Sequence, residues 1–424
     1  MPSLSGNELL PESACADPRR HAVVTLARVE GRNAHAARLL TGALPFEREL
    51  VLGVLRWQLA LDHLLTRHLR QPMEALDELV RAALRVGLYE AKRMRTAQAV
   101  AVAEAVRVTK DLAPRASGLI NAVLRRAVGE TWPDPDDVRL PLWLRTSHPR
   151  WLVRRWIERL GETDATAALV ADQNPAPLAL LDAVSECSEL VAAGCELTPH
   201  PAMAGVMVVT GGAAGAVAAL RAGRAYAIDP TAVAVARLLP EVGGVTVDLA
   251  AAPGGKSLVL ASERRETRLI SADRSLGRVL LMRDNLGLVR HLPSVVVADA
   301  AEPPLRPGSC DAVLLDAPCS GTGTLRRHPE IRWRLQPGDL MRLAAAQRRL
   351  AGAAAALLSP GGVLLYATCS LEPEENAEVV AALGLEPLPI TPPLPFRELP
   401  EGGVAIPPSA LGDGFTVHLL RRRA

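Results

Sequence analysis

From Val245 to the end of the chain, short apolar runs alternate with amphipathic stretches, and this alternation limits the fold more than any other feature. The runs are Val245–Leu249, Arg268–Ala272, Ser294–Ala298, Cys310–Leu315 and Gly362–Thr368. Between them, Lys256–Glu263, Leu276–Leu286 and Leu340–Leu358 carry apolar residues at helical spacing. Strands separated by helices predict a mainly parallel sheet covered on both faces. Residues 386–408 hold eight prolines and read as an irregular crossing, and Phe415–Leu420 reads as a last, edge strand.

The first part of the chain follows a different rule. From Arg19 to about Val128 the period is helical. Glu49, Leu52, Leu55, Leu59 and His63 step at three and four residues, and Leu50, Val54, Trp57 and Leu61 widen the stripe. Met73–Val86, Ala97–Lys110 and Arg115–Arg126 continue in the same way, which predicts an all-α domain. Residues 131–137 interrupt it with two prolines and three acids. Arg150–Leu160 is a further helix, and residues 175–245 mix apolar runs with Gly and Pro and define few elements. The resulting division is a tail over 1–17, a helical domain over 18–130, a linker over 131–138, an intermediate region over 139–240 and an α/β domain over 241–424.

A length of 424 residues is enough for two or three domains. Apolar residues at 49% and charged residues at 22% exclude wholesale disorder. No apolar run approaches the ~18 residues of a membrane span, and the first twenty residues lack the apolar core of a secretory signal. The six cysteines (15, 187, 195, 310, 319 and 369) have no CxxC spacing, so neither a zinc ribbon nor a disulfide scaffold is expected. A reducing cytoplasm and the absence of a metal fit that pattern. A net charge of +2 says little about nucleic acid, but only Lys92, Lys110 and Lys256 are lysines, which draws attention to each.

Lys256 closes the segment Asp-Leu-Ala-Ala-Ala-Pro-Gly-Gly-Lys (248–256), which ends the first strand and opens a helix. Gly254 and Gly255 allow close backbone approach to a ligand, and the helix start offers free N–H groups to an anion. Ala250 occupies the place of the first glycine of a nucleotide-triphosphate loop, and no GxGxxG is present. The reading left besides a plain turn is the carboxylate of S-adenosyl-L-methionine, with Lys256 as a nearby cation. Asp273 ends the next strand, where a carboxylate suits a ribose diol, and Asp299 follows the third strand and can reach an adenine edge. The expected cofactor set is Ala250, Ala251, Ala252, Pro253, Gly254, Gly255, Lys256, Asp273, Arg278, Asp299 and Asp316.

Two cysteines follow strand ends. Asp-Ala-Pro-Cys-Ser (316–320) closes the fourth strand and Ala-Thr-Cys-Ser (367–370) the fifth. In a doubly wound sheet these strands are neighbours, so both thiols are expected to face one pocket. Cys15, Cys187, Cys195 and Cys310 read instead as small core residues. A thiolate adding to C6 of cytosine makes C5 nucleophilic enough to take a methyl group. An acid such as Asp316 assists by hydrogen-bonding to or protonating N3.

These two motifs, the Ala-Ala-Pro-Gly-Gly-Lys loop (251–256), and Arg-Arg-His-Pro-Glu (326–330) with Trp333, in this order and spacing, resemble the Nol–Nop–Sun family of RNA cytosine-5 methyltransferases. Residues 46–57 and 121–126, with Glu104-Ala-Val between them, resemble the RNA-binding helical domain of NusB. The two together, with residues 147–156, resemble the bacterial 16S rRNA branch of that family. The resemblance implies a NusB-like all-α domain joined to a Rossmann-like class I methyltransferase domain. It implies S-adenosyl-L-methionine as cofactor, 16S rRNA as partner and a monomer. It makes Cys369 the nucleophile and Cys319 the residue that assists product release. Leu181-Asp-Ala183 replaces the usual Arg-Val-Asn, Ile228-Asp229 keeps only the acid of a Gln-Asp pair, and Ala250 replaces a frequent Cys.

Arg145, His148, Arg150, Arg154, Arg155 and Arg159, then Arg326, Arg327, Arg332 and Arg334, and finally Arg421–Arg423 form local basic clusters suited to phosphate contacts. Among only twelve aromatic residues, Trp333 reads either as a stacking platform or as a core-packing side chain. A tRNA or other-RNA cytosine methyltransferase, and an RNA-binding assembly or antitermination factor with a silent methyltransferase fold, are the alternatives.

Overall fold

The computed structural model describes residues 17–31, 34–264 and 268–423. The expected tail before Asp17, and Cys15 within it, lie outside the described residues. The chain forms two units, one built from residues up to Gln173 together with His328–Arg334, the other from Asn174–Arg327 and Leu335 onward.

The first unit is helical. Helices Pro18–Gly31, Pro45–Arg56, Gln58–Thr66, Glu78–Arg93, Gln98–Leu112 and Ser117–Ala127 enclose its core. Leu50, Val54, Trp57 and Leu61 are buried, whereas Glu49, Leu52, Leu59 and His63 are half-buried. The inward face is therefore centred on the residues that widen the stripe, with Leu55 of the first set buried beside them, and the helix breaks at Trp57 (φ −109°, ψ 19°). Each fully buried leucine contributes ~1.5–3 kcal/mol. The long helix Glu78–Arg93 begins five residues later than the Met73 start read from the sequence, with Asp77 accepting a cap bond from the Leu79 N–H at 2.9 Å. Gly53 lets that helix approach, since a Cβ there would fall 2.0 Å from the Tyr89 ring.

Within this unit, residues 328–334 are held by backbone carbonyls. Arg332 is 1% exposed and donates to the carbonyls of Arg56 (3.2 Å), Ser147 (3.2 Å) and Asp172 (3.4 Å). The Trp333 indole N–H donates to the Leu55 carbonyl at 2.6 Å, and its ring packs on the helical core.

The second unit carries two sheets. Strands β1 (Ala179–Leu181), β2 (Glu196–Pro199) and β3 (Val206–Gly211) form a small antiparallel sheet in the order β1-β3-β2, in the region where the sequence defined few elements. The large sheet contains β4 (Val245–Asp248), β5 (Arg268–Asp273), β6 (Ser294–Val297), β7 (Cys310–Asp316), β8 (Leu358–Thr368), β9 (Glu386–Leu388), β10 (Arg397–Glu398), β11 (Val404–Ile406) and β12 (Phe415–Arg421). Its order is β10-β11-β12-β8-β7-β4-β5-β6, with β9 also paired to β12. The pairs β6-β5, β5-β4, β4-β7 and β7-β8 are parallel, as the strand–helix alternation predicts.

The expectation for the last strand needs correction. β12 is interior: it runs antiparallel to β8 on one side and to β9 and β11 on the other. The proline-rich crossing supplies the strands that cover it. The chain leaves β4 outward through β5 and β6, then returns to β7 on the other side of β4. That reversal opens a crevice at the carboxyl ends of β4 and β7, where open α/β sheets bind ligands.

Candidate active site

The glycine loop lines this crevice. Gly254 adopts φ +104°, a left-handed conformation that disfavours side chains, and starts helix Gly255–Glu263. A Cβ on Gly255 would sit 3.2 Å from the Tyr226 hydroxyl. A cavity of about 200 Å3 is lined by Ala250, Ala251, Ala252, Pro253, Gly255, Lys256 and Asp316, joined by Tyr226, Asp229 and Asp248. A larger cavity of about 320 Å3 lies at the amino ends of β4–β6, around Val245, Arg268 and Leu292, the wrong end of a parallel sheet for a ligand.

Lys256 Nζ donates to Asp316 Oδ2 at 2.5 Å. The two are brought together by the strand reversal, one following β4 and the other ending β7. Burial works against the lysine's charge, but the Asp316 carboxylate outweighs it and raises the Lys256 pKa, so the ammonium persists. Behind the loop, Asp248 is 1% exposed. Its Oδ2 accepts from Ser257 Oγ at 2.7 Å, which in turn accepts from Ser271 Oγ at 2.8 Å, while Oδ1 has no hydrogen-bond partner. Burial pushes the Asp248 carboxyl up to about 7.

Next to Asp316 lie the two thiols. β7 and β8 are parallel neighbours with Asp316 opposite Ala367, so the loops that follow them start side by side. The Sγ atoms of Cys319 and Cys369 are 3.3 Å apart. The hydrogen bond to Cys369, then burial, then the nearby Glu375 and Asp316 carboxylates hold the Cys319 thiol well above the ordinary thiol range. Beneath them Glu375, fully buried, accepts from the Ser320 N–H and from the hydroxyls of Ser320 and Ser370.

The remaining cofactor candidates sit outside the cavity lining. Asp273 ends β5 as expected, buried, accepting from the Ser275 N–H at 3.0 Å with Arg278 at 3.4 Å. Arg278 also donates to the Ala252 carbonyl, which ties that strand end to the glycine loop. Asp299 is exposed after β6 and accepts from the Ala301 N–H at 2.9 Å.

Comparison with known proteins decides the family. Residues 235–386 match the 16S rRNA methyltransferase RsmB/F family and residues 17–128 match the NusB family. The ribosomal RNA small subunit methyltransferase B of Pasteurella multocida (strain Pm70) is 31% identical over 407 residues, 90% of this chain and 89% of that protein. The chain belongs to the RsmB/F family of 16S rRNA methyltransferases. The enzyme of the same description from Vibrio cholerae serotype O1 (strain ATCC 39315 / El Tor Inaba N16961) is 31% identical over 387 residues, 89% of each chain. A methyltransferase homolog from Pyrococcus horikoshii of known structure is 26% identical, with a TM-score of 0.54, covering 66% of this chain and 97% of that one.

Several basic residues of this RsmB/F-family chain are committed inward, against the phosphate-contact expectation. Arg326 is 3% exposed and donates to the carbonyls of Ser409 and Gly412. Arg327 donates to Asp229 at 2.5 Å and Asp413 at 2.8 Å. Arg332 is buried, Arg334 meets His35 at 2.9 Å in an exposed contact, and Trp333, half-buried, packs its ring on the helical core. His148 is fully buried, 3.6 Å from Asp172. Arg150 and Arg154 stay exposed, Arg150 stacked on Trp143. Cys195 and Cys310 are buried, as read, and Cys187 is half-buried. No helix among the described residues is long and apolar enough to cross a membrane.

Sequence reading gave no site role to Asp248, Asp229, Asp413 or Glu375. Glu375 follows Glu372 and Glu374 in a run that looks solvated, and only the chain's return beneath β7 and β8 buries it.

Proposed function

We propose that this chain methylates C5 of a cytosine in 16S rRNA, using S-adenosyl-L-methionine. The observation that supports this best is the pair of thiols 3.3 Å apart, in loops adjoining the Lys256–Asp316 pair. The cavity beside them suits the cofactor. It has a glycine-bounded wall, a buried cation in Lys256 and an unpartnered Asp248 oxygen. Ala250–Lys256, Asp273, Arg278, Asp299 and Asp316 would hold it. When bound, S-adenosyl-L-methionine supplies an electrophilic methyl group.

The protein's own residues prepare the acceptor. The Cys369 sulfur, as its thiolate, bonds to C6 of the ring, and the displaced electron pair moves toward N3, where the proton that the Lys256 ammonium shares with the Asp316 carboxylate neutralises it. C5 is then nucleophilic. After methylation the Cys319 sulfur, as its thiolate, takes the C5 proton, whose electron pair reforms the C5–C6 double bond as the C6–S bond breaks and returns its pair to sulfur, and the N3 proton goes back to the Lys256–Asp316 pair. Cys319 is suited to this second half. While Cys369 is free, its hydrogen bond helps keep the Cys319 thiol protonated and unreactive. Once the Cys369 sulfur is bonded to carbon, that constraint is gone.

The test is methyl transfer from labelled S-adenosyl-L-methionine to deproteinised 16S rRNA and to tRNA, with the product nucleoside identified by mass spectrometry. 5-Methylcytidine in 16S rRNA is expected. Label at another atom, or in tRNA alone, refutes the assignment.

A further inference from the structure

Beneath the thiols lies a buried carboxylate that the reaction just described does not use. Glu375 is fully buried and approached by no arginine or lysine within bonding distance among the described residues; its oxygens are met by donors instead. Oε1 accepts from the Ser320 N–H at 2.8 Å and from Gln347 Nε2 at 3.0 Å. Oε2 accepts from the Ser320 hydroxyl and from the Ser370 hydroxyl, each at 2.5 Å. Gln347 also donates to the Pro318 carbonyl at 2.8 Å.

The positions of these donors are what matters. Ser320 directly follows Cys319, Pro318 directly precedes it, and Ser370 directly follows Cys369. The two serine hydroxyls also bond each other at 3.1 Å. The backbone that carries the carboxylate is fixed as well: the Tyr366 hydroxyl of β8 donates to the Glu375 main-chain carbonyl at 2.7 Å. Burying a carboxylate is costly, and a purely structural contact between two loops can be made by apolar side chains. A carboxylate offers two acceptor oxygens on a rigid plane and can tie two loops at one point.

We propose that Glu375 is a positioning residue that sets the separation of the Cys319 and Cys369 thiols by clamping the residues next to each. The inference rests on the reading of those thiols as the reacting pair. It predicts that loosening the clamp harms turnover without touching the cofactor cavity, because none of the clamp residues lines that cavity.

The thiol separation can be read without RNA or cofactor. Diamide takes two electrons and two protons from a pair of adjacent thiols, forming a disulfide and the reduced hydrazine, and the Cys319–Cys369 cross-link is quantified by peptide mapping of the full chain. Glu375→Ala is expected to slow this cross-link and to lower kcat, each by tenfold or more, with KM for S-adenosyl-L-methionine within twofold. Glu375→Gln keeps an acceptor for the Ser320 N–H and gains a donor toward the hydroxyls, so it should recover most of both losses. A folded Glu375→Ala variant that cross-links and turns over like wild type overturns the proposal, as does a fall in kcat with the cross-linking rate unchanged. If Glu375→Ala does not fold, the double variant Ser320→Ala/Ser370→Ala is read in the same two assays, and wild-type values in both overturn the proposal. Wild-type protein that never forms the cross-link overturns it too. Failure of the methyltransferase reading shows separately, as wild-type protein that cross-links but transfers no methyl group.

Discussion

Cys319 and Cys369 stand fifty residues apart in sequence, yet their sulfurs are 3.3 Å apart. The parallel pairing of β7 and β8 places them there. Cys319 is held protonated by its neighbour, by burial and by nearby carboxylates. Cys369→Ala should therefore abolish both methyl transfer and covalent attachment to RNA. Cys319→Ala should still attack but release slowly, so protein and RNA co-migrate on a denaturing gel. Accumulation in Cys369→Ala instead, and its loss in Cys319→Ala, would reverse the roles.

Asp273 should matter for the cofactor and not for the nucleophile. Asp273→Ala is expected to weaken S-adenosyl-L-methionine binding by ~1.5–3 kcal/mol, the contribution of a hydrogen bond to a charged acceptor. Cys369→Ala should bind the cofactor as wild type does. Titration calorimetry on the three proteins decides the matter; equal losses in both variants would merge two sites kept separate here.

Arg332→Ala should be a stability variant rather than an RNA-binding variant. Three carbonyls, those of Arg56, Ser147 and Asp172, lose their donor in a buried place. A loss of ~2–4 kcal/mol in chemical denaturation is expected. Arg154→Ala, on an exposed helix face, should stay within ~0.5 kcal/mol. Similar denaturation midpoints for the two variants would contradict this.

Asp248 makes stability depend on pH. Burial raises its carboxyl to about 7, against ~3.9 in an unfolded chain. The folded protein then keeps a proton that the unfolded chain has released, so stability from this group is full at low pH and is lost as pH rises from about 4 through about 7. Asp248→Asn has no such proton. Its stability relative to wild type should grow by up to ~4 kcal/mol between pH 4 and pH 8, measured by denaturant melts without cofactor. A constant difference across that range would remove Asp248 as the titrating group.

What the sequence disclosed and what it concealed divide along a physical line. The parallel strands, the glycine loop and both cysteine loops were legible because each depends on local spacing and on a period. The neighbouring of β7 and β8 followed from the alternation of strand and helix. Arg332 was misread, and Trp333 stayed open between stacking platform and core packing, because a charge or an indole beside a catalytic loop has the same local pattern whether it faces solvent or carbonyls from elsewhere in the chain. β12 was placed at the edge because its cover, β9 and β11, lies in a proline-rich stretch with no period. Glu375 was hidden among other glutamates, its burial decided by Ser320 and Gln347, distant in sequence.

The excursion of residues 328–334 into the helical unit has a consequence for synthesis. Chain growth delivers residues up to Gln173 first, yet the carbonyls of Leu55, Arg56 and Ser147 receive Trp333 and Arg332 only about 160 residues later. At ~5–20 residues per second that is a wait of roughly 8–30 s. Through that interval the earliest-made part of the protein lacks the bonds that Arg332 and Trp333 bring to these carbonyls in the folded chain. Its maturation is therefore timed by translation of the catalytic unit, and a ribosome that stalls before codon 334 leaves the helical unit unfinished.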